Sequence, residues 1–131
     1  MRRRQTLALL AVCALAAMAQ LSAAAEPRKF SQAAFDQLAR EGKPVVVDVS
    51  ATWCPTCKAQ KPIIDGLLRQ PAYQGLTLLA VDFDADKPVL RQFKVSAQST
   101  LVAFKGGKEV ARSVGDTTPE GIEGLFKQAL R

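Results

Sequence analysis

The sequence contains no histidine, and cysteine occurs only three times in 131 residues. Without an imidazole base, the chain can form neither a Ser-His-Asp or Cys-His hydrolase site nor a His-ligated zinc or haem site. Three cysteines are also too few for a scaffold held together by several disulfides. Hydrophobic residues make up 48% and charged residues 23%, which is sufficient for one packed domain. Any chemistry must therefore depend on cysteine, carboxylate or lysine side chains.

The first 25 residues have the composition of a secretory signal peptide. Three arginines at positions 2–4 precede an apolar run at 7–21, and three alanines follow at 23–25. A basic start, a short apolar core and an Ala-x-Ala end are typical of such a peptide, and the run is shorter than the ~20 residues that span a bilayer. We expect cleavage after Ala25, with Ala19 as the second candidate site, and a single periplasmic domain at 26–131.

Two other fates of this segment stay open. An uncleaved segment would anchor the domain to the membrane, facing the periplasm. Lipidation at Cys13 would require a small residue where Val12 stands, and otherwise Cys13 is one more apolar residue of the run. The segment also carries half of the net charge of +6. The remaining charge is spread along the chain without a basic stripe, so we expect no nucleic-acid binding.

The rest of the chain alternates apolar strand-like runs with amphipathic helices. Helices are predicted at 32–41, from the turn at 53–58 to about 69, at 88–93, and after the capping Thr118; strands are predicted at 45–49, 76–81, 100–104 and 109–114. The order is α-βαβ-α-ββ-α, which predicts an α/β domain with a mixed four-stranded sheet flanked by helices.

Two cysteines, Cys54 and Cys57, lie three residues apart where a predicted strand gives way to a helix. The free N–H groups and the dipole of a helix N-terminus stabilise an anion, so the Cys54 thiolate is favoured. We expect Cys54 to be the exposed attacking thiolate and Cys57 to resolve the mixed disulfide. A static structural disulfide and a two-thiolate Cu(I) site stay open as alternatives, whereas a closed zinc site lacks ligands.

The segment Trp53-Cys54-Pro55-Thr56-Cys57-Lys58, preceded by Val45-Val46-Val47-Asp48-Val49, resembles the thioredoxin family. Pro62 matches the family's helix-kinking proline, and the hairpin at 101–107 and Gly115 are similar to its last strands. The resemblance covers about Phe30 to Leu130. It implies a thioredoxin-like fold and a protein-disulfide oxidoreductase that needs no cofactor. Its expected partners are disulfide-bearing proteins and a redox partner protein.

The resemblance also implies a role for Asp48. A carboxylate within a Val-rich strand should have a raised pKa, and by resemblance it accepts the proton of Cys57. The family often pairs this aspartate with a lysine on the next strand, but Ala80 stands at that position here. A purely structural, hydrogen-bonded carboxyl is the alternative.

The sequence departs from the family at the loop that faces the cysteines, where Ser99 replaces the usual cis-proline. We expect a trans bond between Gln98 and Ser99, because a cis bond before serine costs ~2.5–4 kcal/mol. We further expect both residues to line the site and the Ser99 hydroxyl to contact a sulfur. The loss of the proline puts the substrate grip in question and motivates the copper alternative.

Together these observations predict an exported, monomeric thiol–disulfide oxidoreductase, a reductant or relay rather than a strong oxidant. The predicted catalytic residues are Cys54, Cys57 and Asp48, and the predicted substrate-binding residues are Trp53, Pro55, Thr56, Gln98 and Ser99. The alternatives are a module that binds or delivers Cu(I) through the same two thiols, and a substrate-holding domain with little turnover. No resident metal is predicted.

Overall fold

A computed structural model describes residues 25–131 of the chain. The predicted segment at 1–25 therefore lies outside the described residues except for Ala25. No helix within 25–131 combines the length and the apolar character needed to cross a bilayer.

The described residues form one mixed sheet with helices on both faces. The helices are α1 (Gln32–Arg40), α2 (Pro55–Leu68), α3 (Lys87–Phe93) and α4 (Pro119–Leu130). The strands are β1 (Arg28–Lys29), β2 (Pro44–Ser50), β3 (Thr77–Asp82), β4 (Thr100–Lys105) and β5 (Lys108–Val114). The sheet order is β1-β3-β2-β4-β5, with β2 parallel to β3 and antiparallel to β4. The predicted α/β thioredoxin-like fold is confirmed.

The predicted number of four strands was one too low. Arg28 and Lys29 form a short parallel strand, β1, against Leu79 and Ala80 of β3. Both β1 side chains are exposed, so the segment has none of the buried alternation that marks a strand in a sequence. It forms because the edge of β3 offers free backbone groups, and Phe30 N–H continues the pairing by donating to the Ala80 carbonyl.

The alternation of side chains along β2 divides the core between the two faces of the sheet. Val45, Val47 and Val49 pack with α1 and α3 in a cluster that includes four phenylalanine rings, at positions 30, 35, 93 and 104, each in contact with at least two of the others. Val46 packs on the opposite face with the apolar sides of α2 and α4. Because side chains two apart share a face, Asp48 lies on the α2 side with Val46. The strand thus directs its carboxyl toward the helix that carries the cysteines.

Candidate active site

The Cys54–Cys57 pair lies at the junction between the central strand and α2. Cys54 is the N-cap residue of this helix, with extended backbone, and Pro55 takes the first helical position. The Cys57 amide N–H donates to the Cys54 sulfur over 3.1 Å, which satisfies one free donor of the first turn. The two cysteines are joined in a disulfide, with their Cα atoms 5.3 Å apart.

In this oxidised state the attacking cysteine is not exposed, so that part of the sequence prediction was wrong. Cys54 is 1% exposed and Cys57 is 8% exposed. Both pack with Ala51, and Phe83 from the loop after β3 lies against this group. The burial comes from loops distant in sequence, whereas the prediction rested on the helix end alone.

Ser99 covers the disulfide from the loop before β4. Its Oγ lies 3.1 Å from the Cys54 sulfur and 3.1 Å from the Cys57 sulfur. The predicted contact with a sulfur is therefore present, and it is made to both. No cis peptide bond occurs in residues 25–131, so the Gln98–Ser99 bond is trans as expected. Ser99 instead adopts φ +62°, a left-handed conformation that is uncommon for serine.

Asp48 and Cys57 line the same cavity, which has a volume of about 310 Å³. Pro27, from the segment before β1, also lines this cavity. The Oδ1 atom of Asp48 is closed off from solvent and has no hydrogen-bond partner among residues 25–131. The pKa of Asp48 is raised from 3.8 to about 6, chiefly by burial and also by the nearby Asp65 carboxylate, while the Lys61 ammonium lowers it.

Lys61 and Asp65 are two charged residues of α2 that sequence reasoning did not single out. They form an i,i+4 ion pair of 2.7 Å at the rim of the Asp48 cavity. Ala80 faces Asp48 in the register of β2 and β3, so the strand supplies no lysine, as the sequence predicted. The positive charge near Asp48 comes from the helix instead.

The other predicted site residues surround the pair at different depths. Trp53 is 54% exposed, and its indole N–H donates to Asp84 Oδ2 over 2.7 Å, which fixes the ring beside the disulfide. Pro55 is exposed and Thr56 is half-buried in the first turn of α2. Gln98 is half-buried next to Ser99. Trp53 therefore presents an exposed aromatic surface next to the buried disulfide.

Gln60 is a buried polar residue that the sequence reasoning missed. It is 1% exposed, and its side-chain amide donates to the carbonyls of Ser99 (3.3 Å) and Asp116 (2.8 Å). The helical spacing contained a signal for its burial. Gln60 lies on the same face of α2 as Cys57 and Ile64, which are both buried. A buried amide is costly unless it is hydrogen-bonded, so its partners should have been sought.

Residues 25–131 contain no cluster of three or more histidine, cysteine or acidic side chains that could hold a metal ion. At the cysteine pair, the side-chain atoms that could bind a metal ion are the two sulfurs and the Ser99 hydroxyl. The copper alternative therefore gains no support from the described part of the chain.

Comparison with known proteins agrees with the resemblance to the thioredoxin family that the sequence shows. A family model described as Thioredoxin matches residues 26–128. Thioredoxin from Chlamydia muridarum (strain MoPn / Nigg) is 45% identical over 71 residues, which is 54% of this chain and 68% of that protein. The bifunctional thioredoxin reductase/thioredoxin from Mycobacterium leprae (strain TN) is 36% identical over 81 residues, or 62% of this chain and 18% of that protein.

A solved structure is also similar in sequence and in shape. The crystal structure of Trxlp from Edwardsiella tarda EIB202 superimposes with a TM-score of 0.74 and is 44% identical. The match covers 76% of this chain and 98% of that protein.

Proposed function

The chain belongs to the thioredoxin family and is a protein-disulfide oxidoreductase, and from that premise we propose that it is an exported reductant or relay. The observation that carries this proposal is the Cys54–Cys57 pair at the N-terminus of α2, beside a carboxyl of raised pKa. No organic cofactor takes part, because the two sulfurs hold the electrons that are exchanged.

The exchange proceeds through a mixed disulfide. In the reduced protein the Cys54 thiolate attacks one sulfur of a client disulfide, and the second client sulfur leaves as a thiolate that takes up a proton. The Cys57 thiol then loses its proton and attacks the Cys54 sulfur. This step closes the Cys54–Cys57 disulfide and releases the remaining client thiolate, which is protonated in turn. The client has then gained two electrons from the protein and two protons, one released by Cys57 and one taken up from solvent.

Asp48 is the proposed acceptor of the Cys57 proton. Both side chains line one cavity, and the raised pKa of Asp48, about 6, lets it gain and lose a proton near neutral pH. Because the chain has no histidine, an imidazole cannot accept this proton. The largely exposed Lys61 also lines this cavity, so the cavity reaches the protein surface and the proton has a route to solvent.

The surroundings of the pair favour a reductant or relay. A strong oxidant requires heavy stabilisation of its reduced thiolate. Here Pro55 and Thr56 between the cysteines bring no positive charge, and Asp48 lies on the Cys57 side. The donors facing Cys54 are one amide N–H and one hydroxyl. This moderate stabilisation fits a potential nearer to about −270 mV than to about −120 mV.

Export is supported by the leader sequence and by the position of the domain. The basic cluster, the apolar run and the Ala-x-Ala end precede residue 26, where the family match begins. Periplasmic release after cleavage is the proposed fate, and membrane anchorage through an uncleaved leader is the alternative outcome of the test.

The proposed partners are exported proteins with reducible disulfides and a reductase that restores the dithiol. A relative whose name joins thioredoxin reductase and thioredoxin in one chain supports the second partner. The sulfurs, Ser99 and Asp48 all come from one chain, so we propose that a monomer is active.

One experiment tests both export and the direction of electron flow. The tagged full chain is expressed in a bacterium, the cells are fractionated, and the thiols are rapidly alkylated. We expect a shortened periplasmic protein with Cys54 and Cys57 mostly reduced, and a potential near about −270 mV in glutathione buffers. A Leu9→Arg/Leu10→Arg leader should stay cytoplasmic at full length. A wild-type chain retained in the cytoplasm would contradict export. A reduction potential near about −120 mV would contradict the role of a reductant or relay.

A further inference from the structure

The loop before β4 supplies a hydroxyl where the pair would otherwise meet a proline. Ser99 Oγ is 3.1 Å from each sulfur, and Ser99 is 2% exposed, so water does not compete for the contact. Residues 95–100 carry no ionisable side chain. The charged groups near the pair, Asp48, Lys58, Lys61 and Asp65, line the cavity with Cys57 instead. On the loop side the hydroxyl is therefore the polar group that meets the sulfurs.

The backbone of Ser99 is held in a strained conformation by several hydrogen bonds. Left-handed φ values are unfavourable for non-glycine residues and persist only where the surroundings enforce them. Here the Ser99 N–H donates to the Val49 carbonyl (2.8 Å), and the Ser99 carbonyl accepts from the Gly115 N–H (2.9 Å). The Gln60 amide adds a third, weaker bond of 3.3 Å to the same carbonyl.

Gln60 links this loop to the helix that carries the cysteines. Its amide nitrogen bonds to the carbonyls of Ser99 and Asp116, and it lies one turn after Cys57 on the buried face of α2. Movement of Ser99 away from the sulfurs would leave this buried amide partly unpaired, which is costly. The position of the hydroxyl is therefore tied to the position of the sulfurs.

We propose that Ser99 is a catalytic residue whose hydroxyl donates a hydrogen bond to the Cys54 thiolate, with Gln60 as the residue that positions it. This proposal deepens the proposed function and rests on it. In the disulfide the hydroxyl faces two neutral sulfurs, which accept weakly. In the reduced protein it faces an anion, to which hydrogen bonds are stronger. The difference stabilises the dithiol form.

The hydroxyl keeps its proton throughout the exchange. When Cys57 attacks Cys54, the contacts to both sulfurs let the hydroxyl follow the negative charge without a change of rotamer. The same group can therefore assist both the opening and the closing of the disulfide. A proline at this position would have no hydroxyl to offer.

The test compares Ser99→Ala and Ser99→Gly, which both remove the hydroxyl but differ in their tolerance of φ +62°. We expect both variants to lower the acid dissociation constant of Cys54 by about tenfold, measured by the pH dependence of alkylation. The thiol–disulfide equilibrium should shift three- to tenfold toward the disulfide, at most about 30 mV more negative.

Ser113→Ala is the matched control, because it removes a buried hydroxyl that has no hydrogen-bond partner in the structure. It should leave both quantities unchanged. Gln60→Met should give a smaller shift in the same direction, and in the Ser99→Ala background it should add nothing, because Gln60 acts through Ser99.

Three results would overturn the proposal: unchanged values in both Ser99 variants, a shift in only one of the two Ser99 variants, or an equal shift in Ser113→Ala. The second would mean that the loop conformation matters and the hydroxyl does not. Each of these results leaves the wild-type exchange activity intact. A wild-type protein that exchanges no disulfide at all would instead refute the proposed function.

Discussion

The chemistry of this protein depends on a few side chains that meet where β2 ends and α2 begins. The sequence indicated Cys54 and Cys57 through their spacing and indicated Asp48 through its position in a Val-rich strand. It could not indicate that Cys54 is buried, because the covering groups, Phe83 and Ser99, come from distant loops. Gln60 was missed for a related reason: its two acceptors are backbone carbonyls brought together only by folding.

At the same scale, Asp48 makes the stability of the fold depend on pH. Its pKa is about 6 in the folded protein against 3.8 for an exposed aspartate, chiefly because of burial. The folded state thus binds more protons than the unfolded state between about pH 4 and pH 6, so stability falls as pH rises through this window. The loss amounts to roughly 3 kcal/mol, since one pKa unit corresponds to about 1.4 kcal/mol.

The Asp48→Asn variant should lose this dependence, because its amide does not ionise. In denaturant titrations of the oxidised protein, the variant should gain roughly 2–3 kcal/mol over wild type on going from pH 4 to pH 8. Taking the difference between the two proteins cancels the contributions of all other groups. Parallel stability curves for the two proteins would show that Asp48 ionises freely in the folded state.

Among the elements, those with a strong periodic pattern were the ones that the sequence predicted. The strands β2 to β5 and the four helices are found within one or two residues of the expected bounds, and the helices and the central strands contribute apolar side chains to the core. β1 escaped prediction because two exposed residues carry no pattern. The hairpin between β4 and β5 was visible from Gly106 and Gly107, whose φ values of +58° and +78° suit glycine.

Gly107 should be one of the least replaceable residues of this hairpin. A Cβ there would lie 2.8 Å from the Ala39 Cβ, so the end of α1 would have to move, and the positive φ adds strain. We expect Gly107→Ala to destabilise the protein by roughly 1–3 kcal/mol in denaturant titrations.

Gly75 provides the matched control for that substitution. A Cβ at Gly75 meets nothing within 4 Å. Gly75→Ala should therefore be neutral or stabilising by up to about 1 kcal/mol. Equal effects of the two substitutions would mean that the hairpin does not require glycine at position 107.

In the whole molecule, the two faces of the sheet differ in what they carry, and this difference relates the fold to the site. One face of the sheet is a purely apolar core with α1 and α3, whereas the other face combines an apolar core with the Asp48 cavity beneath α2. The domain boundary at residue 26 stays a prediction, because residues 1–24 lie outside the described part of the chain. The sequence thus predicted the fold class and the redox pair, while the packing of loops over the pair required the structure.

The central claim, that Cys54 attacks client disulfides and Cys57 resolves the intermediate, is tested most directly by trapping mixed disulfides. The Cys57→Ser variant of the full chain, expressed in its native compartment and quenched with acid, should accumulate adducts that a reducing agent releases. Cys54→Ser should accumulate few or none, because the first bond to the client cannot form. Equal adducts in both variants, or none in either despite correct export, would contradict the account.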